Sequence, residues 1–465
     1  MSKNKNRPEK IVKIKNLFET GNNLIDYFLI CGCEPSILFK EKIFFNLSTD
    51  KDTNLNKLSE ILKPKILSKF PEFDDKNNII NDELLYYCFP YGFQPYYDDS
   101  GNKLMEETFS IILNDNIFSS EYPQKYMTCL LFYENLAQYK ELYKEIYKNE
   151  NNINNENIDK YKFYIIPKSI IIISKYPYTS IFPEILNSIY NYFLSSEQKI
   201  PIEKIITNLV IEVPMAPRGL YYIDFTLINK DLTLKRTDNN NLQLTDIDLK
   251  NFYNLLSLDV QIEIFKHLLL GSKIIIFSEN INNITLIMIS FLYLLFPFKY
   301  PFYITSFLNR KYYNIIEGVS PFFVGINEVY NPAFFNENEI NLEGISLLIV
   351  DLDNNTSEFV SSNTIPDFPS RLISNFIKDI QNIENKYIKV DKENQEENVE
   401  SEEEEDEDND CNDPIEKFNR IYQKTFFIFI CDLIKNYEQF LNINYLKTNN
   451  NAKASINNLF NCMNL

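Results

Sequence analysis

Residues able to move protons or hold metals are scarce in this chain. It has one histidine, His267, among 465 residues. A multi-histidine metal centre is therefore excluded, and any Ser-His-Asp or Cys-His relay would have to use that single ring. The surrounding stretch, Asp259-Val-Gln-Ile-Glu-Ile-Phe-Lys-His-Leu-Leu-Leu270, has helical spacing. Val260, Ile264, Phe265 and Leu268 fall on one side, which predicts a solvent-facing Glu263, Lys266 and His267. The seven cysteines (31, 33, 88, 129, 411, 431 and 462) are odd in number and form no C-x-x-C pairs. They read as reduced thiols of an intracellular protein, the Cys31-Gly-Cys33 pair included. Nine glycines in the whole chain supply neither G-x-G-x-x-G nor G-x-x-x-x-G-K-[ST], so a glycine-rich phosphate cradle is not expected. No serine sits in G-x-S-x-G. Asp351 and Asp353 are spaced to share one face of a strand, where two carboxylates could serve acid–base or metal chemistry. Before Asn354-Asn355, at a strand end, such a pair more often caps the turn. The expectation is a chain with no catalytic residue, no metal ligand and no cofactor.

The elements that position these residues fall into two halves. The length suits two or three domains, and 45% apolar with 15% aromatic residues can build a sizeable core. In the first half, Leu24–Ile30, Leu84–Phe89, Thr108–Leu113, Tyr126–Tyr133 and Tyr164–Ser174 read as strands, the last as one or two. Glu134–Lys148 has helical spacing, as does Phe182–Phe193, and Pro201 opens a further helix. Asn149–Lys160 reads as a surface insertion. The second half alternates. Helices are expected over Leu258–Leu270, Asn283–Phe296 and Ser370–Ile383, and strands over Tyr221–Leu227, Lys273–Phe277, Phe322–Ile326 and Ser346–Val350. Gly271 closes the first of these helices, and Asn282 or Asn283 caps the second. This alternation predicts an α/β fold with a largely parallel sheet. Its expected core includes Leu268, Ile274, Ile276, Leu292, Phe296, Phe323 and Leu348.

Charge excludes further classes. The net charge is −19. Asp391–Asp413 alone holds fourteen acids against one lysine, a net of −13, so the rest carries −6. Such a run repels itself and buries nothing, which predicts a disordered insertion over 391–413. Helical spacing resumes over Ile415–Ile430. No basic stripe offers a nucleic-acid footprint, so no nucleic-acid partner is expected. The N-terminus lacks an apolar signal core, and Ser2 rules out myristoylation. The longest apolar run, Ile284–Phe298, falls short of the roughly 20 residues a bilayer needs. A cytoplasmic protein without a transmembrane segment is expected.

Several motifs, in order, resemble the DENN domain, the tripartite module of Rab guanine-nucleotide exchange factors. Leu258–Ser278 resembles the family's helix followed by an R-I-L-h-V-S-S-like strand, where h is any apolar residue. Tyr293-Leu-Leu-Phe-Pro-Phe-Lys-Tyr300 resembles L-L-Y-P-F-x-W, Pro321-Phe-Phe-Val-Gly-Ile326 resembles P-F-h-h-G-h, and Val350-Asp-Leu-Asp-Asn-Asn355 resembles V-D-L-D-x-N. Upstream, Tyr27–Gly32, Cys88-Phe-Pro-Tyr-Gly92, Ile166–Pro177 and Pro201–Leu209 follow the family pattern in order. Tyr300 stands where the family has Trp, and Tyr303–Asn309 departs from its Y-I-P-h-L-P stretch.

The resemblance implies an α/β fold of two lobes: an upstream longin-like lobe, and a larger doubly wound lobe ending in helices. The corresponding divisions are an upstream portion at 11–200, a central portion at 201–365 and downstream helices at 366–465, the last interrupted by the acidic insertion. It implies a Rab GTPase as partner, held across the gap between the lobes, and exchange of guanine nucleotide in membrane traffic. Peripheral recruitment to vesicle or endosomal membranes would follow. The alternative is a non-catalytic DENN-like scaffold for GTPases or other proteins. A third class, GTPase activation through an inserted arginine, would draw on Arg218 or Arg310. Ligands gather outside the carboxyl ends of strands in open α/β sheets, which makes Asp351, Asp353 and Asn354 the candidate GTPase contacts.

Overall fold

The β-branched and aromatic runs of the first half form one antiparallel sheet in the computed structural model, which describes residues 23–34, 37, 50–72, 82–98, 106–113, 125–139, 163–195, 199–216, 222–235, 246–361, 364–389 and 414–435. Its strands are β1 (Tyr27–Cys33), β2 (Pro64–Phe70), β3 (Tyr96–Tyr97), β4 (Glu107–Leu113), β5 (Lys125–Asn135) and β6 (Tyr164–Ser174). They lie in the order β2-β1-β6-β5-β4, with β3 paired to the start of β6. The isoleucine run of β6 takes the central place, as a nearly continuous apolar stretch should. On one face, Phe28, Leu130, Phe132, Ile170 and Ile172 pack against Phe182, Ile185, Leu186 and Ile189 of a helix over Ile181–Leu194. Further along the strands, Cys33, Tyr164 and Ile166 meet Leu58 and Leu62. Leu58 belongs to helix α1 (Lys51–Ile61), which Asp50 caps by accepting from the Thr53 N–H. The helix over Ile181–Leu194 is α2, and α3 (Ile202–Thr207) follows after Pro201.

Two expectations for this half are corrected. Leu84–Phe89 is a 3₁₀ turn over Asp82–Leu84 running into a short helix over Leu85–Cys88. Leu84, Leu85 and Cys88 are buried while Tyr86 is exposed, a spacing that a helical turn satisfies and a strand does not. The Cys88 thiol also donates back to the Leu84 carbonyl at 3.1 Å. Glu134 and Asn135 belong to β5, whose register with β6 runs on to Asn135↔Ile165. A 3₁₀ turn over Leu136–Tyr139 follows, and 140–148 lies outside the described residues. So do the expected insertions at 149–160 and 391–413.

The chain divides into two compact units, and the hairpin β7 (Tyr222–Leu227) with β8 (Lys230–Lys235) falls mainly in the first. Leu227, Leu232 and Leu234 join that unit's core. Ile228, in the turn, has φ 60°.

The second unit is built on β9 (Lys273–Phe277), β10 (Tyr303–Thr305), β11 (Phe322–Ile326), β12 (Leu347–Asp351) and β13 (Thr356–Val360). The order is β10-β11-β9-β12-β13, and every pairing except β12 with β13 is parallel. The alternating sequence pattern is thus realised as a mainly parallel sheet. Every residue of β11 and β12 is buried, as a sheet covered on both faces requires. On one face Ile275, Phe277, Val324, Leu347 and Ile349 pack with Ile316, Phe334 and Phe335. Helices cover the rest. They are α4 (Leu249–Leu255), α5 (Leu258–Leu270), α6 (Ile281–Leu294), α7 (Ser370–Glu384) and α8 (Pro414–Ile434). α5 packs on β9, β12 and β13, α6 on β11, and α8 on α4, α6 and α7.

Gly271 closes α5 with φ 66°, as expected, while the cap of α6 is Asn280, whose Oδ1 accepts from the N–H groups of Asn282 and Asn283. Of the expected core, Leu268, Ile274, Ile276, Phe323 and Leu348 are buried. Leu292 and Phe296 are half-buried, because α6 turns Ile284, Ile287, Met288 and Phe291 inward instead. Among the described residues no helix is long and apolar enough to cross a membrane.

His267 is the clearest correction: it is 1% exposed. α5 is enclosed rather than one-sided. The His267 ring lies 4.7 Å from the Phe359 ring on β13, and Phe265 meets Phe426 of α8 at 4.9 Å. Lys266 is buried with it and bonds Glu263 at 2.8 Å and Asp367 at 3.2 Å.

Candidate functional site

The carboxyl ends of β9, β11 and β12 lie side by side, because their parallel registers align Phe277 with Ile326 and with Asp351. This rim carries all three candidate residues. Asp351 ends β12 and is 4% exposed. Its Oδ1 accepts from the N–H groups of Asp353 at 3.1 Å and Asn354 at 3.2 Å, and its Oδ2 from Asn354 Nδ2 at 2.8 Å. Asp351 therefore holds the turn that leads to β13, the role that Asp-x-Asp chemistry at a strand end favours. Asn355 completes the turn in the left-handed region, with φ 55°, and its Oδ1 accepts from the Ser257 N–H at 2.9 Å.

Asp353 reaches the neighbouring strand instead. Its Oδ1 accepts from Ser278 Oγ at 2.7 Å and its Oδ2 from the Glu279 N–H at 2.9 Å. Ser278 Oγ in turn accepts from the Asn280 N–H at 3.1 Å. Asn327, just beyond β11, donates through Nδ2 to the carbonyls of Ser278 at 3.1 Å and Glu279 at 2.6 Å. The Ser278–Asn280 loop is thus tied from both sides. It sits between β9, whose chain leaves through α6, and β11, whose chain leaves toward the opposite face; in α/β sheets this is the switch point where ligands gather.

The exposed groups of the rim include Glu279, Asn280, Asp353, Asn354, Asn355 and Thr356, none of them cationic. Arg310 is not free to act as a cationic finger. Its Nε and Nη2 both donate to Glu328 Oε1, at 3.1 and 2.7 Å, and this pairing holds its pKa above the ordinary value. Arg218 lies outside the described residues. Burial, then the Glu358 carboxylate, push the Tyr330 hydroxyl up. The rim can accept hydrogen bonds and attract positive charge on a partner.

His267 is no part of this rim. Desolvation lowers its pKa to about 4, against the opposing pull of Glu263, whose Oε2 lies 3.8 Å from Nε2. The ring is therefore neutral near pH 7 and packed as an apolar group. Among the described residues no cluster of three or more His, Cys, Asp or Glu side chains is placed to hold a metal ion.

Sequence reasoning named Asp351, Asp353 and Asn354, which the structure places on this rim, and did not name Ser278, Glu279 and Asn327, which adjoin them. The available signal was positional: each follows directly on an expected buried strand, at the end where α/β sheets bind ligands.

Comparison with known proteins bears on the same region. Residues 165–355 match the model of the DENN (AEX-3) domain. The match therefore starts in β6 and ends at Asn355, in the rim turn. The chain is 22% identical over 368 residues to the DENN domain and WD repeat-containing protein SCD1 of Arabidopsis thaliana, an alignment covering 77% of this chain and 28% of that protein. It is 25% identical over 179 residues to the DENN domain-containing protein C297.05 of Schizosaccharomyces pombe, covering 38% and 18%. It is also 21% identical over 384 residues to the MAP kinase-activating death domain protein of Caenorhabditis elegans, covering 74% and 26%. The chain spans less than a third of the length of these relatives.

Proposed function

The chain carries a DENN domain over residues 165–355, and we propose that it acts as a guanine-nucleotide exchange factor for a Rab-family GTPase. The DENN match is the observation that carries this reading, because exchange on Rab proteins is the activity associated with that domain. Under this reading the upstream longin-like, central and downstream portions occupy 11–200, 201–365 and 366–465, the central one being the doubly wound lobe. The protein works in membrane traffic from the cytoplasm, recruited to vesicle or endosomal surfaces.

Exchange needs no bond chemistry. A factor that binds the GTPase switch segments more tightly without nucleotide than with it must, by linkage, weaken nucleotide binding equally. Each 1.4 kcal/mol of that coupling is worth about tenfold in affinity. Release is accelerated to the extent that the factor favours the displacement transition state over the nucleotide-bound complex. The rim supports the reading by offering what such a contact uses: exposed acceptors on Asp353, Asn354 and Glu279, held by hydrogen bonds to three strand ends. Asp351 acts behind them, shaping the turn.

A panel of Rab proteins loaded with fluorescent GDP tests the proposal. Faster GDP release from at least one of them is expected. Binding without faster release would make the chain a scaffold, and faster GTP hydrolysis would make it an activator. Asp353→Asn and Asn354→Ala should each slow release while leaving the melting temperature near that of the parent. Unchanged release in the double variant would remove the rim from the exchange surface.

A further inference from the structure

The strand registers of the first sheet place an aromatic corner around one carboxylate. Glu107 on β4 pairs with Leu131 on β5, and Tyr133 lies two residues further along β5, on the same face. Asn135 pairs with Ile165 on β6, and Ile165 pairs on its other side with Tyr96 on β3. Side chains alternate along strands, so Glu107, Tyr133 and Tyr96 all project from one face. Tyr96 and Tyr133 stand 5.8 Å apart with their planes at 79°, forming two adjoining walls. Tyr91 arrives from the loop before β3 and donates its hydroxyl to Glu107 Oε1 at 3.1 Å. Tyr91 is 50% and Tyr96 36% exposed, while Tyr133 and Glu107 are half-buried.

Glu107 has Tyr91 as its hydrogen-bond partner and no salt bridge among the described residues. Its negative charge is felt in the corner. Burial comes first, but Glu107 adds to the push that takes both the Tyr91 and the Tyr133 hydroxyls up to about 12. A carboxylate beside phenol rings, with no cation against it among the described residues, is complementary to a cation. Aromatic faces attract cations through the ring quadrupole. A guanidinium fits better than an ammonium, because it is planar, stacks on a ring and reaches a carboxylate with two parallel N–H groups.

We propose that the Tyr91–Tyr96–Tyr133 corner around Glu107 is a docking point for an arginine side chain in an extended segment of a partner protein. This goes beyond nucleotide exchange and does not rest on it, since the corner lies in the first unit and involves no rim residue.

The test is fluorescence anisotropy of the full chain with a labelled nonapeptide carrying three arginines spaced by glycines. Its twin carries citrulline, the neutral isostere, at the same positions. At physiological salt the arginine peptide should bind at least tenfold more tightly than the citrulline peptide. Glu107→Gln and Tyr96→Ala should each weaken it by fivefold or more. Tyr96 is exposed and Glu107 half-buried, and matched thermal melts check that both variants fold. The acidic 391–413 run also attracts cations. Arginine-peptide binding that neither variant changes would therefore place the peptide there and overturn the proposal. Glu107-dependent sedimentation with phosphatidylcholine vesicles, without peptide binding, would assign the corner to a lipid headgroup and overturn it too.

Discussion

In the second sheet every residue of β11 and β12 is buried, whereas β2, at the margin of the first sheet, contains no fully buried residue. The two sheets tolerate change differently as a result. The inner strands of the parallel sheet are covered on both faces, so they must be continuous apolar runs whose backbones approach closely, while β13 at its margin, like β2, contains no fully buried residue. The antiparallel sheet leaves a strand edge and part of one face toward solvent, where polar and aromatic side chains can serve as contacts. The family match takes in nearly all of β6, the helices α2 and α3 and the hairpin β7–β8 of the first unit, and the whole of β9 to β12.

The largest effect expected from this contrast is in the parallel sheet's centre. Phe323 is 0% exposed, and Phe323→Ala should cost about 3–5 kcal/mol in denaturant unfolding. A near-neutral result would mean that β11 is not enclosed. Next is Gly325→Ala on the same strand. The added methyl would press on Ile284 Cγ2 and the Ser306 carbonyl, one of them backbone, so a loss of about 3 kcal/mol is expected. The same measurement on Gly32→Ala in β1 gives the counterpart. There the new methyl meets the flexible Lys168 Cγ at 3.1 Å, and a change within about 1 kcal/mol is expected. Equal costs at the two glycines would erase the distinction between the sheets.

Between these in size lies a pH effect in the second unit. His267 titrates near 4 when folded and near 6.5 when unfolded. Between those values the unfolded chain binds more protons, so this residue's contribution is fully present above about pH 6.5 and falls as the pH drops toward 4. By pH 5 the loss is about 2 kcal/mol relative to pH 7.5. His267→Gln should lack that component, read as the difference between the two proteins' stability–pH curves. Parallel curves would place the ring in water, as helical spacing alone suggests.

Much of the second unit was legible in the sequence. Leu258–Leu270, Lys273–Phe277 and Phe322–Ile326 match the structure residue for residue, because long periodic helices and short isoleucine- or phenylalanine-rich runs leave little ambiguity. What escaped was the environment of each face. His267 looked solvated because α5 shows an apolar stripe, but Phe359 and Phe426 approach from segments about 90 and 160 residues away, and no local window contains them. Leu84–Phe89 failed for another reason: a six-residue apolar run suits a strand or a helical turn equally. At the rim, Asp351, Asp353 and Asn354 were named by position alone, while the clamp from Asn327 depends on β9 and β11 being neighbours. The Tyr91–Glu107 corner likewise exists only once four strands are in register.

Nucleotide exchange requires a coupling between Rab binding and nucleotide binding, which can be measured as an equilibrium. One Rab that responds in the release panel is immobilised, either nucleotide-free or loaded with GDP and Mg²⁺, and the full chain's affinity for each state is measured. At least tenfold tighter binding to the nucleotide-free state is expected, since that ratio is the coupling that drives release. Equal affinity for the two states would contradict exchange activity.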